Sequence, residues 1–294
     1  MMRLVWLLIG LLLAVPPARA AVSVTDDAGR RVVLPAPAQR IVSLAPHVTE
    51  LLYAAGAGAK LVGAVEYSDF PPAEAQALPR VGSSSAVDIE AVAALKPDLV
   101  IAWQSSTRAA QYGQLDRLGI PVFVSEPRSL DDIPRTLELL GRLAGTSQVA
   151  EAAALDFRTR RDRLAARYAS RPPVGVFYQI WDRPPMTVNG EHLISAVMAL
   201  CGGRNVFADL AILAPTVTEE AVLAAAPEVI VASGMADSRP EWLDAWRRWR
   251  SLPAVARDNL YFIPPERLQR NTPRVLDGAA QMCEQLEQAR AKRR

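Results

Sequence analysis

The stretch TSQVAEAAALDFRTRRDRLAARYAS, from Thr146 to Ser170, is the longest uninterrupted helical pattern in the chain, with neither Gly nor Pro before Arg171-Pro172-Pro173 stops it. Val149, Ala153, Phe157, Leu164 and Tyr168 recur at helical spacing and predict one apolar stripe, while Arg, Asp and Glu fill most of the remaining positions. At about 1.5 Å of rise per residue the helix would be roughly 35 Å long, enough to run along the side of two small domains. What lies on each side decides whether it is an ordinary surface helix or a spine between two lobes.

Upstream, Val22 to Val33 with Asp27-Ala28-Gly29-Arg30 reads as a small hairpin. Ile41 to Ala45 reads as a strand stopped at Pro46, Thr49 to Ala55 as a helix ended by Gly56-Ala57-Gly58, and Leu61 to Val65 as a second strand. Helices are then expected over Asp88–Leu95, Thr107–Leu118 and Leu130–Leu143, with strands at Asp98–Trp103 and Pro121–Ser125 between them. Downstream the rhythm restarts. Strands are expected at Val174–Ile180, Glu228–Ser233 and Leu260–Ile263, and helices at His192–Leu200, Thr218–Ala225, Trp242–Trp249 and Pro273–Ala289. Alternation at this spacing predicts parallel sheets covered by helices.

The two halves also repeat. VDIEAVAALKPDLVIAW (Val87–Trp103) aligns without gaps on VTEEAVLAAAPEVIVAS (Val217–Ser233) at an offset of 130 residues, sharing Val, Glu, Ala, Val, Ala, Pro and Ala. The expected fold is therefore α/β, with two Rossmann-like lobes, 21–145 and 171–294, joined by one long helix over 146–170. Ligands of open parallel sheets sit beyond the carboxyl ends of the strands, and two such sheets facing each other make a cleft.

The first residues belong to neither lobe. Arg3, the apolar run Leu4–Val15 and Ala18-Arg19-Ala20 have the form of a signal peptide (1–20) with an A-x-A cleavage site, and the run is too short to span a bilayer. Its removal takes Arg3 and Arg19, bringing the formal charge from +2 to zero. The remaining arginines are scattered or paired with acids along helices, a pattern that does not make a nucleic-acid surface. Cys201 and Cys283, the only cysteines, read as a disulfide in an exported chain, worth roughly 4 kcal/mol on the chain-entropy model. Neither lies near the cleavage site, so no lipid anchor is expected.

No catalytic constellation assembles. His47 and His192, the only histidines, lack metal-ligand spacing; no G-x-S-x-G elbow occurs, and Gly56-Ala57-Gly58 is not followed by Gly-Lys-Ser/Thr. A secreted α/β enzyme is the remote alternative. The strand ends instead carry groups suited to binding. In the first lobe these are Pro46, His47, Tyr67, Ser84 and Trp103; in the second they are Trp181, Met186, Glu266 and Arg270. Aromatics offer flat apolar area with a polar edge, and Arg offers a forked donor, which together suit a large, flat, partly amphipathic ligand. Glu90 and Glu220, matched in the repeat, sit in the first turns of their helices. There the helix dipole alone explains a carboxylate, and a symmetric handhold for a two-fold partner explains it equally.

RIVSLAPHVTELLYAAGAGAKLVGAVEYSDFPP (Arg40–Pro72), KPDLVIAW (Lys96–Trp103), LDRLGIPVFV (Leu115–Val124), CGGRNVF (Cys201–Phe207) and RNTPRVLDGAAQMC (Arg270–Cys283) together resemble the cobalamin-binding periplasmic proteins of ABC importers. These belong to the helical-backbone, class III solute-binding proteins. The resemblance covers nearly all of the mature chain. The first two stretches are shared with siderophore- and haem-binding relatives, which makes capture of an iron siderophore or haem the alternative; CGGRNVF with the paired cysteines is more specific to the cobalamin group. The resemblance implies a monomeric receptor in the periplasm with no cofactor of its own. It would capture a corrinoid in the cleft and deliver it to an ABC permease dimer in the inner membrane. It matches Cys201 and Cys283 to the family's disulfide and Glu90 and Glu220 to glutamates that dock on permease arginines. It matches Tyr67 to a cleft tyrosine, and Glu266 and Arg270 to a cleft acid and arginine. Ser84, Met186 and Ala214 depart from it, standing where the best-known member carries large aromatics, so the pocket wall is expected to differ.

Overall fold

The computed structural model describes residues 21–107, 109–234 and 238–293. The expected signal peptide lies outside the described residues. Among those described, no helix is long and apolar enough to cross a membrane.

The chain opens with an antiparallel hairpin, β1 (Val22–Thr25) and β2 (Arg31–Leu34), whose Val24, Val32 and Leu34 face inward. Its turn is set by Asp26, whose Oδ1 accepts from the N–H of Ala28 (3.1 Å) and of Arg30 (2.7 Å), an Asx turn. The first lobe follows in the order β3 (Ile41–Ser43), α1 (Pro46–Ala54), β4 (Leu61–Ala64), α2 (Pro72–Gln76), α3 (Ile89–Ala94), β5 (Leu99–Trp103), α4 (Ala109–Arg117), β6 (Val122–Ser125) and α5 (Asp132–Ala144). Its sheet has the order β4-β3-β5-β6, all parallel. The helix α6 (Ser147–Tyr168) follows. The second lobe comprises β7 (Val174–Gln179), α7 (Leu193–Leu200), β8 (Gly203–Asn205), α8 (Glu219–Ala225), β9 (Val229–Ala232), a 3-10 segment over Glu241–Arg248, α9 (Pro253–Ala256), β10 (Leu260–Phe262), α10 (Pro265–Leu268) and α11 (Val275–Ala291). Its sheet, β10-β9-β7-β8, is also all parallel. Strands buried on both faces read as continuous apolar runs, and β6, β7 and β9 are buried at every position.

Each sheet has an outer face with its own core, Val42, Val100, Val124 and Leu115 in the first lobe, Phe177, Ile230, Leu243 and Trp246 in the second. The inner faces share one continuous core through α1, α5, α6, α7 and α11. The spine α6 buries Ala150, Ala154, Phe157 and Tyr168. The expected stripe is thus rotated at its first half: Val149 is 52% exposed, Ala150 and Ala154 taking the inner positions. The reason lies in α5. A Cβ on Gly141 would stand 2.3 Å from the Ala150 Cβ, so two small residues let α5 and α6 approach closely, and that contact fixes the rotation of α6. Gly145, at φ 69° in the left-handed region, closes α5 and turns the chain into α6.

The repeat is structural as well as sequential. The N-cap side chains of α3 and α8, Asp88 and Thr218, accept from the N–H three residues on, and Lys96 and Ala226 both take positive φ before a proline. Cys201, at the end of α7, is bonded to Cys283 inside α11, 82 positions later, stapling two helices of the second lobe.

The short helices α2, α9 and α10 were not among the expected elements, and three further features departed from them. The proline at Pro46 opens α1 instead of ending β3 in a loop, because Pro fits the first helical turn, where no N–H is needed. The segment expected as a helix near Trp242 is 3-10. Strand β8, with no apolar alternation in Gly203-Arg204-Asn205, gave no sequence signal; it exists because the free edge of β7 accepts it.

Candidate functional site

The carboxyl ends of β5 and β6 face the residues that open α7 and the loop after β8, and between them lies a cavity of about 370 Å³. The first lobe lines it with Trp103, Ser105, Glu126, Pro127 and Arg128, the second with Glu191, His192, Leu193, Ala211, Leu213 and Asn271. Trp103 is the last residue of β5, so the strand itself aims the indole at the cleft. Behind it His47 is buried, its ring edge-on to Trp103 at 5.0 Å. Burial, with the Arg270 charge adding to it, pushes His47 down to about 4, so the ring is neutral. Glu126 is fixed by Ser105, whose N–H and hydroxyl donate to it at 2.9 and 2.6 Å.

His192 caps α7: its Nδ1 accepts the Ile194 N–H at 3.1 Å. Burial holds it at about 4 as well, so the imidazole is neutral and, with Nδ1 accepting, its proton is on Nε2. Asn271 donates from Nδ2 to the Pro127 carbonyl (2.7 Å), one of several bonds that cross between the lobes.

The densest of these crossings is built on Glu50 in α1. Arg270 Nη1 donates to Glu50 Oε1 (2.7 Å), and Arg274 donates to both carboxylate oxygens from Nε and Nη2 (2.9 Å each). Arg270 also holds Asp69 (2.5 and 3.1 Å) and the Tyr67 carbonyl (3.3 Å), and Arg274 stacks on Phe70 at 4.0 Å. Burial alone would lower Arg270, but the hydrogen bonds it donates to Asp69 and Glu50 outweigh it and raise its pKa. Burial likewise would raise Asp69, and Arg270 holds it below its ordinary value.

Of the residues singled out in the sequence, Trp103 and His192 line the cavity, and Arg270 lies beside Asn271 as a tie between the lobes. Tyr67 is 78% exposed at positive φ, its carbonyl held by Arg270. Glu266 stands in α10, one carboxylate oxygen buried without a hydrogen-bond partner among the described residues. Trp181 and Met186 pair across the turn that follows β7, and Ser84 sits in a turn between Ser83 and Ala86; none of these three lines the cavity. Pro46 is half-buried in the first turn of α1, and Ala214 half-buried beside Leu213. Glu90 and Glu220 are exposed in the first turns of α3 and α8. Helices that cross over between parallel strands run against them, which puts these N-termini at the cleft end of each lobe.

Sequence reasoning missed Glu50, Arg274, Ser105, Glu126, Arg128 and Asn271. A signal existed for the first two: Glu50 interrupts the apolar face of a short helix, and RNTPR sets two arginines four residues apart. Leu213, in the cavity lining, lies close in sequence to Leu210 and Ile212, which are exposed as it is, an apolar group that only the folded structure reveals.

The profile of the periplasmic binding protein family matches residues 41–267. A vitamin B12-binding protein of Vibrio cholerae is 41% identical over 250 residues, covering 85% of this chain and 89% of its own. One from Yersinia pestis is 38% identical over 249 residues, covering 85% and 86%. The crystal structure of periplasmic vitamin B12 binding protein BtuF of Vibrio cholerae superposes with a TM-score of 0.79 at 40% identity, covering 86% of this chain and 98% of that one. A periplasmic heme binding protein from Pseudomonas aeruginosa superposes with a TM-score of 0.70 at 29% identity, covering 84% and 91%. Two facing parallel sheets on one helical spine, with a lined cleft between them and a family match over most of its length, place this chain in the periplasmic binding protein family.

Proposed function

We propose that the protein is an exported, monomeric receptor that captures cobalamin or a related corrinoid in the cleft between its lobes and hands it to an inner-membrane ABC transporter. In this reading the lobes span 21–145 and 171–294, and the leader is removed after Ala20. The observation that carries the reading is the lined inter-lobe cavity in a chain 41% identical to a vitamin B12-binding protein. Its lining suits such a ligand. Trp103, Leu193, Leu213 and Pro127 give apolar area for a corrin face, and Ser105, His192 and Asn271 give polar partners for its amide side chains. A corrinoid is larger than this cavity, so it would fill the cavity with one edge and leave the rest in the open mouth between the lobes. The protein binds and releases; it carries out no reaction on the ligand. Glu90 and Glu220, at the cleft end of each lobe, are the docking points for a two-fold permease.

Haem is the second reading, favoured by the heme binding relative. Haem iron asks for an axial His, Cys, Met or Tyr, and here His47 is buried behind Trp103 while His192 caps a helix. Calorimetry on ligand-free protein with cyanocobalamin, haem and a ferric siderophore separates the readings. Saturable one-to-one heat with cyanocobalamin alone is expected; tight binding of another ligand without a corrinoid response would overturn the proposal.

A further inference from the structure

His192 is a half-buried side chain in the wall of the cleft, and it is also the N-cap of the helix that carries the wall. These two positions constrain its chemistry together. A backbone N–H cannot accept a hydrogen bond, so the 3.1 Å contact from Ile194 N to Nδ1 requires a lone pair on Nδ1. In the neutral ring the proton is then on Nε2, on the far side of the imidazole from the helix. Among the described residues the one hydrogen bond to the His192 ring is that at Nδ1, and the wall around it holds Glu191 as well as the apolar Leu193, Ala211 and Leu213.

We propose that His192 is a fixed Nε2–H donor to an acceptor at the edge of the ligand, such as an amide carbonyl, and is not a ligand to the metal at its centre. Coordination through Nε2 would need the proton moved to Nδ1, where it would meet the Ile194 N–H head-on and uncap α7. The helix cap thus selects the tautomer, and the tautomer selects the interaction. A corrinoid supplies what this donor needs, a rim of amide carbonyls, whereas a ligand held through its metal gains nothing from it. This inference rests on the corrinoid reading of the cleft.

The test uses two replacements that both keep a cap on α7. Ser caps through its hydroxyl but is too short to reach the ligand; Asn caps through its carbonyl oxygen and retains an N–H donor. For cyanocobalamin, His192→Ser is expected to weaken binding on the order of ten-fold and His192→Asn by less than about three-fold, with thermal midpoints of the two variants alike. Aquocobalamin, whose bound water exchanges readily for imidazole, is expected to keep its water-coordinated visible spectrum when mixed with the unmodified protein. An imidazole-type spectrum that disappears in His192→Ser would overturn the inference, as would equal affinity of all three proteins for cyanocobalamin. If the unmodified protein binds no corrinoid, the ligand assignment falls and this inference with it; if it binds and the variants match it, the inference alone falls.

Discussion

Glu50 has a side chain only 2% exposed, and it accepts three hydrogen bonds from two arginines of the other lobe. A buried carboxylate in this setting costs much of its hydration, and the paired guanidinium forks replace it with fixed donors. Removing the carboxylate strands two cations near the interior, so Glu50→Ala is expected to lower stability by about 3–5 kcal/mol, read as a shift in the urea midpoint; an unchanged midpoint would contradict the assignment. The two histidines predict a pH dependence. Both hold their folded pKa near 4, against 6.5 as the ordinary value. Between these values the unfolded chain binds more protons than the folded one, so stability is full above about pH 6.5 and falls as pH drops towards 4, by about 3 kcal/mol per histidine at most. Asp69, with its pKa lowered, adds loss of the same sign further into acid. Urea midpoints measured across that range should fall most of the way before the carboxylates titrate, and His192→Asn, which keeps the cap, should remove part of the slope.

At the scale of the element, the fit of α5 to α6 depends on the Gly141–Ala150 contact. Replacing Gly141 with Leu forces the helices apart and is expected to cost at least about 1–3 kcal/mol, a drop of several degrees in Tm for a chain of this size; calorimetric melting checks it. This contact also marks the limit of what the sequence could show. Periodicity identified α6, its length and the alternation of strands and helices on both sides, because those follow from local patterns. It did not fix which face of α6 is inside, because Ala150 and Ala154 are chosen by the small residue opposite them, which is tertiary information. The same distinction separates Trp103 from Glu50. An aromatic at the end of an apolar strand is placed in the cleft by the strand itself, whereas Glu50 gains its role only when Arg270 and Arg274, more than 200 residues away, are folded against it. Strand β8 and the short α9 were invisible for the same reason.

The whole molecule is two parallel sheets whose carboxyl ends face one another, held by α6 on one side and tied across by the Arg270, Asn271 and Arg274 bonds. A stiff helix and a bonded seam favour a cleft that is largely preformed, with ligand capture causing little rotation of the lobes. At this scale Glu90 and Glu220 have no part in the cleft lining, so the double change Glu90→Ala with Glu220→Ala is expected to leave ligand affinity intact and abolish corrinoid uptake in transport-competent cells; unchanged uptake would refute the docking role. The central claim is that the metal centre of a corrinoid comes to rest between the lobes. Crystals grown with cyanocobalamin and measured at the cobalt absorption edge test it directly. The account predicts one anomalous peak in the cleft, between Trp103 and Leu213, with no protein nitrogen coordinating it; a peak outside the cleft, or none from protein saturated with the ligand, would contradict it.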